Sequence, residues 1–194
     1  DSRGPSVMQL KTLCLGLLEI SDATGYDIKQ MFERSLNHFH AASYGSIYPA
    51  LKQLEQAAIL HDIGKIGIDV SLLHKKGKLT PADIEVLKLH PSIGVRILEP
   101  IHFLGTVREI IEQHDERVDG NGYPNGLSGE EWRIEGKILA VCDTFDAMTS
   151  DRPYRKALSD EIAIQEIKDH SGTQFDPRVA TAFVEMSDKG LLPE

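Results

Sequence analysis

The sequence predicts an all-α fold, a bundle of helices with at most one small hairpin. Apolar residues recur at helical spacing over most of the 194 residues. Helix-start signals accompany this pattern: Thr80 can cap a helix that begins at Pro81, with the acidic Asp83 in its first turn. No segment of any length shows the alternation of a strand, and the sequence contains no internal repeat.

Three helices are predicted in the first part of the chain, within residues 8–60. Leucines at helical spacing indicate the first helix, and Gly25 lies in the break that follows it. The apolar spacing within 26–36 indicates the second helix, and that within 47–59 indicates the third. We expect Pro49 in the first turn of the third helix, where its missing N–H would be harmless.

Further helices are predicted after His61, joined by loops rich in glycine or proline. Residues 119–130 hold four glycines and a proline, which indicates a loop. The expected helices run from Thr80 towards His90, from Phe103 to His114, from Ile134 to Met148, from Ser159 to His170 and from Pro177 to Ser187.

Composition is ordinary for a globular protein, with 41% hydrophobic and 26% charged residues. No apolar run approaches the roughly 18 residues of a membrane span, so we expect no membrane association and a cytoplasmic location. Residues 1–7 are interpreted as a flexible leader, with Met8 as the expected native start. The two cysteines, Cys14 and Cys142, do not form a disulfide framework, and Cys142 is predicted to be a reduced thiol in the core.

The formal net charge of −9 is unfavourable for binding nucleic acid or phosphates through a basic surface alone. An anionic ligand would therefore need a local source of positive charge, which metal ions could supply.

Histidine and carboxylate side chains stand among apolar residues at several places: His61-Asp62, His90, His114-Asp115-Glu116 and Asp143. Such side chains on different helices of a bundle can assemble dinuclear metal sites. Mixed histidine and aspartate ligands suit iron, manganese or zinc, whereas oxygen ligands alone would suit magnesium or calcium. Two metals a few Å apart can supply a nucleophile and neutralise a phosphodiester together.

Each of these residues also has an ordinary structural explanation. A single buried histidine such as His90 can be a hydrogen-bonded core residue, and Asp143 can be a cap or an ion-pair partner. Taken together, these explanations require an unrelated reason at every place, so the pattern favours a metal centre.

Seven short motifs follow one another along the chain: 61–68 (HDIGKIGI), 89–91 (LHP), 116–124 (ERVDGNGYP), 138–143 (ILAVCD), 145–150 (FDAMTS), 151–155 (DRPYR) and 172–177 (GTQFDP). In their residues and in their order, these motifs resemble the HD-GYP family. That family comprises bacterial phosphodiesterases that open cyclic di-GMP to a linear dinucleotide, some continuing to GMP or accepting related cyclic dinucleotides.

The resemblance implies an HD-superfamily helical bundle and a set of site residues. The implied metal ligands are His61, Asp62, His90, His114 and Asp143, with Asp62 shared between two metals. Lys65 would reach the bridging hydroxide or a phosphate oxygen. Arg152 and Arg155 would hold substrate phosphates, although both could instead be solvated surface residues. Tyr123, in the Gly122-Tyr123-Pro124 loop, would contact substrate or a protein partner, or else only cover the edge of the core.

Two departures from the family pattern bear on the metal count. Asp115 stands where family members usually carry histidine, and we count it as a sixth ligand with altered affinity. Upstream, Gly25 and Lys29 stand about where the family has a glutamate and a histidine of a third metal position. The nearby Glu33, His38 and His40 are off that register. We therefore expect two divalent metals at most, iron or manganese with zinc or nickel as alternatives, and a linear dinucleotide as the product.

A second set of motifs lies within residues 8–55: 15–18 (LGLL), 24–28 (TGYDI) and 45–55 (GSIYPALKQLE). These motifs resemble instead the PadR family of bacterial transcription regulators, and the match stops before the β-hairpin wing of that family. Residues 8–60 carry four basic and five acidic side chains, a net charge of −1 that disfavours DNA binding. The predicted organisation is a truncated helix-turn-helix segment at 8–55 joined to an HD-GYP domain at 54–194, through either a natural or an engineered fusion.

The main prediction is a metal-dependent phosphodiesterase acting on cyclic di-GMP. One alternative is an HD-GYP domain that senses a cyclic dinucleotide or a partner without turnover, favoured by Asp115 and by the missing upstream ligands. The other is a PadR-like DNA-binding regulator. A homodimer is a further expectation, since proteins of both families are often dimers.

Overall fold

The computed structural model describes residues 44–151, 156–190 and 192. Within these residues the chain is helical and forms no strands, only isolated β-bridges at Asp119–Ser128 and Ser171–Phe175, so the predicted all-α class is confirmed. The α-helices are α1 (Tyr44–Leu60), α2 (Val70–Leu73), α3 (Pro81–Leu87), α4 (His90–Leu98), α5 (Gly105–Gln113), α6 (Ile134–Thr149), α7 (Asp160–Asp169) and α8 (Pro177–Asp188), with 3-10 helices at Ile63–Gly67 and His102–Leu104.

Helix α1 begins earlier than the apolar pattern predicts. It starts at Tyr44, so Pro49 lies inside the helix and not in its first turn, and that prediction is wrong. Inside a helix, the residue at position 49 donates its backbone N–H to the carbonyl of Gly45, one turn back. Proline has no N–H, so this hydrogen bond is missing. Apolar residues farther along the same helix, Leu54, Ala57 and Ala58, are buried in the core and hold it in place.

The segment around His90 also differs from the prediction. Thr80 caps helix α3 as expected, and Asp83 completes a capping box by accepting from the backbone N–H of Thr80. The helix nevertheless ends at Leu87. His90 then begins the separate helix α4, with Pro91 in its first turn. Proline fits there because a first-turn N–H has no partner within the helix. His90 therefore starts a helix, whereas the sequence placed it at the end of one.

Helix α6 lies at the centre of the bundle and contacts α1, α5, α7 and α8. Most of its residues from Gly136 to Asp146 are buried, including Cys142, whose predicted core position is confirmed. Residues from α1, α5, α7 and α8 complete one continuous core. In this described part of the chain, no helix combines the length and the apolar content needed to cross a membrane.

Several predictions concern residues outside the described ranges. These are the first two helices, Cys14, the upstream positions from Gly25 to His40, and the arginines Arg152 and Arg155.

Candidate metal centre

The predicted metal ligands come from four segments of the chain. One pair follows α1, one ligand begins α4, one pair follows α5, and one ligand lies inside α6. The structure brings all of them into one cluster of side chains: His61, Asp62, His90, His114, Asp115 and Asp143.

The three histidines share one hydrogen-bonding arrangement. In each, Nδ1 lies within hydrogen-bonding distance of the carbonyl oxygen three residues earlier: 2.9 Å for His61 and Ala58, 3.0 Å for His90 and Leu87, and 2.6 Å for His114 and Ile111. Because a carbonyl only accepts, Nδ1 must carry the hydrogen. The Nε2 atom of each neutral ring then presents a lone pair to the cluster. Backbone support of this kind orients metal-ligating histidines.

The Nε2 atoms of His90 and His114 are only 3.3 Å apart. With both Nδ1 atoms protonated, two nitrogen lone pairs face the same small space. A cation between them would turn this repulsion into a favourable interaction, so the arrangement fits a metal ion.

The carboxylates divide the cluster into two groups that share Asp62. One oxygen of Asp62 is 3.5 Å from His61 Nε2, and its other oxygen is 3.5 Å from His90 Nε2. Asp143 lies on the first side, with Oδ1 3.4 Å from His61 Nε2. On the second side, donor atoms of Asp62, His90 and His114 all lie within 4.8 Å of one another, which makes these three residues a candidate metal site.

Asp115 belongs to the second group. Its Oδ2 atom is 3.4 Å from Nε2 of both His90 and His114. This oxygen is buried and has no hydrogen-bond donor. A buried carboxylate oxygen without a donor is costly, whereas ligation of a cation would satisfy it. The donor chemistry on both sides of Asp62 therefore fits divalent metals.

The charges of the metal-free cluster determine the protonation states of its ligands. Burial raises the pKa of Asp143, but the hydrogen bond and charge of His61 outweigh burial and hold it well below its usual range. Burial also acts to lower the pKa of His61, but Asp143 and Asp62 raise it to about 9. Burial and then His114 lower the pKa of His90. At neutral pH, Asp143 is ionised and His90 neutral, the forms in which both are ligands. His61 is protonated in the metal-free cluster and must release a proton when it binds a metal.

Lys65 lies beside the cluster in the 3-10 helix Ile63–Gly67. Its Nζ atom donates to Asp62 Oδ2 at 2.6 Å, and 41% of its side chain remains exposed. Burial raises the pKa of Asp62, while the charges of His61 and Lys65 outweigh it and lower that pKa.

Tyr123 is half-buried beside the second group of ligands. Its ring centroid is 6.5 Å from that of His90, and Lys88 Nζ lies 5.7 Å above its ring. Burial, and then the charge and hydrogen bond of Asp115, raise the pKa of Tyr123 far above its usual value. Its hydroxyl therefore keeps its hydrogen at neutral pH and can act as a donor next to the carboxylates.

Two buried charged residues were not assigned a role from sequence. Glu116 is buried and accepts hydrogen bonds only 2.7 and 2.9 Å long from the backbone of the following loop. Lys137 in α6 is 1% exposed and pairs with Asp176 at 3.1 Å, ahead of α8. A lysine inside an apolar helical run was the only sequence signal for this pair, and its partner could not be identified from spacing.

Comparison of the sequence with known protein families supports a metal centre built from these histidines and aspartates. The sequence model of the HD domain family matches residues 41–179, and the chain belongs to that family. Its His61-Asp62 pair and its Gly122-Tyr123-Pro124 triplet place it with the HD-GYP members. The sequence model of the transcriptional regulator PadR-like family matches residues 14–64 and supports a PadR-like fragment, most of which lies outside the described residues.

Similar proteins include a cyclic di-GMP phosphodiesterase from Thermotoga maritima, 48% identical over 69% of this chain and 37% of that protein. The cyclic di-GMP phosphodiesterase response regulator RpfG from Xanthomonas campestris pv. campestris is 44% identical over 68% of this chain and 35% of that protein. The chain thus matches little more than a third of the length of these relatives. Among solved structures, the HDG"Y"P protein Bd1817 from Bdellovibrio bacteriovorus superposes with a TM-score of 0.64 at 20% identity, over 94% of this chain and 51% of that one. This likeness supports the HD-superfamily fold.

Proposed function

We propose that the chain is a metal-dependent phosphodiesterase that hydrolyses cyclic di-GMP to the linear dinucleotide. The observation that carries the proposal is the convergence of three histidine Nε2 atoms, each oriented through Nδ1, with three aspartates around the shared Asp62. The relatives from Thermotoga and Xanthomonas, named as cyclic di-GMP phosphodiesterases, indicate the substrate.

Two divalent cations would occupy the two groups of ligands. His61, Asp143 and one oxygen of Asp62 would hold the first, and His90, His114, Asp115 and the other oxygen of Asp62 the second. Iron or manganese suits this mixture of nitrogen and oxygen ligands, with zinc and nickel as alternatives. When bound, such metals act as Lewis acids on a phosphoryl oxygen and activate water near neutral pH.

The protein's own side chains would bind the phosphodiester and offset its charge. Lys65 is next to Asp62 and partly exposed, so its ammonium group can reach a phosphate oxygen at the cluster. There it would stabilise the negative charge that develops during attack on phosphorus. Tyr123 would donate a hydrogen bond from its place beside His90 and Asp115. Arg152 and Arg155 are proposed, from the family resemblance alone, to hold the substrate phosphates.

The test is hydrolysis of cyclic di-GMP after anaerobic loading with iron(II) or manganese(II), with the products separated by chromatography and bound metal counted in the same sample. The proposal expects two metals per chain and metal-dependent formation of the linear dinucleotide. GMP without accumulation of the linear form would contradict the proposed product. Asp62→Ala should lose both metal and activity, whereas Asp69→Asn, at an exposed carboxylate on the same segment, should keep both.

A sensor that binds cyclic dinucleotides without turnover is the second candidate, and the presence of Asp115 in place of the family's histidine favours it. The position of Asp115 Oδ2, within 3.4 Å of two histidines, instead supports a complete ligand set. Tight binding of cyclic di-GMP by protein that holds two metals but forms no product would establish the sensor.

Other expectations stay predictions. They are the homodimer, a protein partner at the Gly122-Tyr123-Pro124 loop, the cytoplasmic location and the division of the chain near residue 54. DNA binding by the PadR-like segment is not proposed.

A further inference from the structure

Glu116 is a buried carboxylate that belongs to neither group of metal ligands. It directly follows Asp115, and only 2% of its surface is exposed. Its Oε1 accepts from the backbone N–H of Asn125 at 2.7 Å, and its Oε2 from that of Leu127 at 2.9 Å. Burying a carboxylate is costly unless it is hydrogen-bonded, and these two charge-assisted bonds offset the cost. Glu116 therefore binds the loop from both of its oxygens.

The same loop folds back onto the backbone beside Glu116. The N–H of Tyr123 donates to the carbonyl of Asp115 at 3.1 Å. Gly122 lies so close that an added Cβ would be 2.4 Å from both Glu116 Cα and Arg117 N. Two carboxylate bonds, one backbone bond and one close glycine contact thus hold the loop against the end of the Asp115–Arg117 segment.

This arrangement determines where Tyr123 lies. Its ring packs edge-on against His90, with 6.5 Å between the ring centroids, and its backbone N–H donates to Asp115, the residue next to Glu116. The backbone groups bound by Glu116 come just after Tyr123-Pro124. Movement of the loop away from Glu116 would carry the phenol away from the metal ligands.

We propose that Glu116 is a positioning residue that acts on the reaction through Tyr123. It holds the Tyr123 ring beside His90, at the Asp115 side of the metal centre, and touches neither substrate nor metal. The proposal rests on the phosphodiesterase function proposed above, but its placement of Tyr123 can be tested without turnover.

The first test is a double-mutant cycle with Glu116→Gln and Tyr123→Phe. The amide keeps the size of the carboxylate but directs a donor at one of the two backbone donors, so one bond is lost. We expect Glu116→Gln to lower kcat/KM about tenfold with metal content unchanged. In the Tyr123→Phe background it should cause no further loss. Effects that multiply across the two sites, or loss of metal in Glu116→Gln, would overturn the proposal.

Glu131→Gln is the matched control, because the exposed Glu131 also accepts from a loop residue, the N–H and hydroxyl of Ser128 at 2.8 and 2.7 Å. It should leave kcat/KM unchanged. If Glu116→Gln does not fold, Glu116→Asp, which keeps the charge and shortens the reach, replaces it in the cycle.

The second test uses fluorine NMR of protein labelled with fluorotyrosine, in which Tyr123→Phe identifies one signal among five tyrosines. Glu116→Gln should shift the Tyr123 signal, and Glu131→Gln should not. An unshifted signal would overturn the positioning role even in an active enzyme. If the wild-type protein has no activity but Glu116→Gln still shifts the Tyr123 signal, the proposed function is refuted and the placement of Tyr123 by Glu116 stands.

Discussion

Gly64 lies between Asp62 and Lys65, where the backbone touches the start of α4. A Cβ added at Gly64 would lie 1.9 Å from the carbonyl oxygen of His90 and 2.5 Å from the backbone N of Gly94. An ordinary contact begins at 3.4 Å, so Gly64→Ala requires the two backbones to separate by about 1.5 Å. No side-chain rotation can relieve this contact, because both partners are backbone atoms.

This displacement acts directly on the metal centre. It separates the Asp62–Lys65 segment from His90, whose Nε2 lies 3.5 Å from Asp62 Oδ1. Metal–ligand distances tolerate changes of only about 0.2 Å. We therefore expect Gly64→Ala to lose at least one metal and to lower hydrolysis at least about a hundredfold. Overpacking should also lower the free energy of unfolding by about 1–3 kcal/mol.

Gly94→Ala is the matched control on the other side of the same contact. Its Cβ would meet Ile63 Cγ2 at 3.3 Å, a methyl group that can move by a few tenths of an ångström. This variant should keep its metals and most of its activity. The assay is metal content, hydrolysis rate and urea unfolding for both variants. Two bound metals and a rate within tenfold of wild type in Gly64→Ala would refute the argument.

Three further predictions concern two side chains of the site and one buried ion pair outside it. Asp115→Ala should reduce the bound metal from two ions towards one, measured by metal analysis after dialysis; two retained ions would exclude Asp115 as a ligand. Lys65→Ala should lower kcat about a hundredfold with unchanged metal content, and equal activity would remove Lys65 from the mechanism. Burial acts to raise the pKa of Asp176, but hydrogen bonds from Arg178 and Lys137 lower it from 3.8 to about 2. Because this folded-state pKa is lowered, ionised Asp176 contributes about 2 kcal/mol of stability above about pH 4, and the contribution is lost as the pH falls towards 2. Asp176→Asn should lower the free energy of unfolding by that amount at pH 7 and by progressively less at acidic pH, measured by urea unfolding of metal-free protein. A stability difference between variant and wild type that does not change with pH would contradict this role of the Asp176 charge.

The helices themselves could largely be predicted from sequence, because apolar periodicity and capping residues are local signals. The Thr80 cap of α3 and the apolar run of α6 are examples, and both are confirmed. Where local signals compete, the prediction was less accurate. Pro49 is typical of a first helical turn, but it lies inside α1, because buried residues farther along stabilise that helix. Pro91 was expected to end the preceding helix, yet it lies in the first turn of the helix that His90 begins.

The candidate site also has features that the sequence predicts and features that it does not. The ligand residues could be selected from sequence because histidines and aspartates in apolar surroundings, in the order of a known family, form a rare pattern. Their distances could not be predicted, since they depend on contacts between distant segments such as Gly64 with His90. The acceptor role of Glu116 was missed for a similar reason: its partners are backbone N–H groups, which carry no signature in the sequence.

The three histidines show how the fold builds a ligand set from helix ends. The carbonyls that accept from their Nδ1 atoms belong to Ala58, Leu87 and Ile111, in the last turns of α1, α3 and α5. Last-turn carbonyls have no partner within their own helix and need a donor. Each histidine supplies that donor, and in doing so it turns its Nε2 lone pair towards the cluster. The C-terminal ends of helices also carry partial negative charge, which favours a cation nearby. Helix termination and metal binding therefore depend on the same side chains, so replacing one of these histidines by alanine should remove both a ligand and a helix cap.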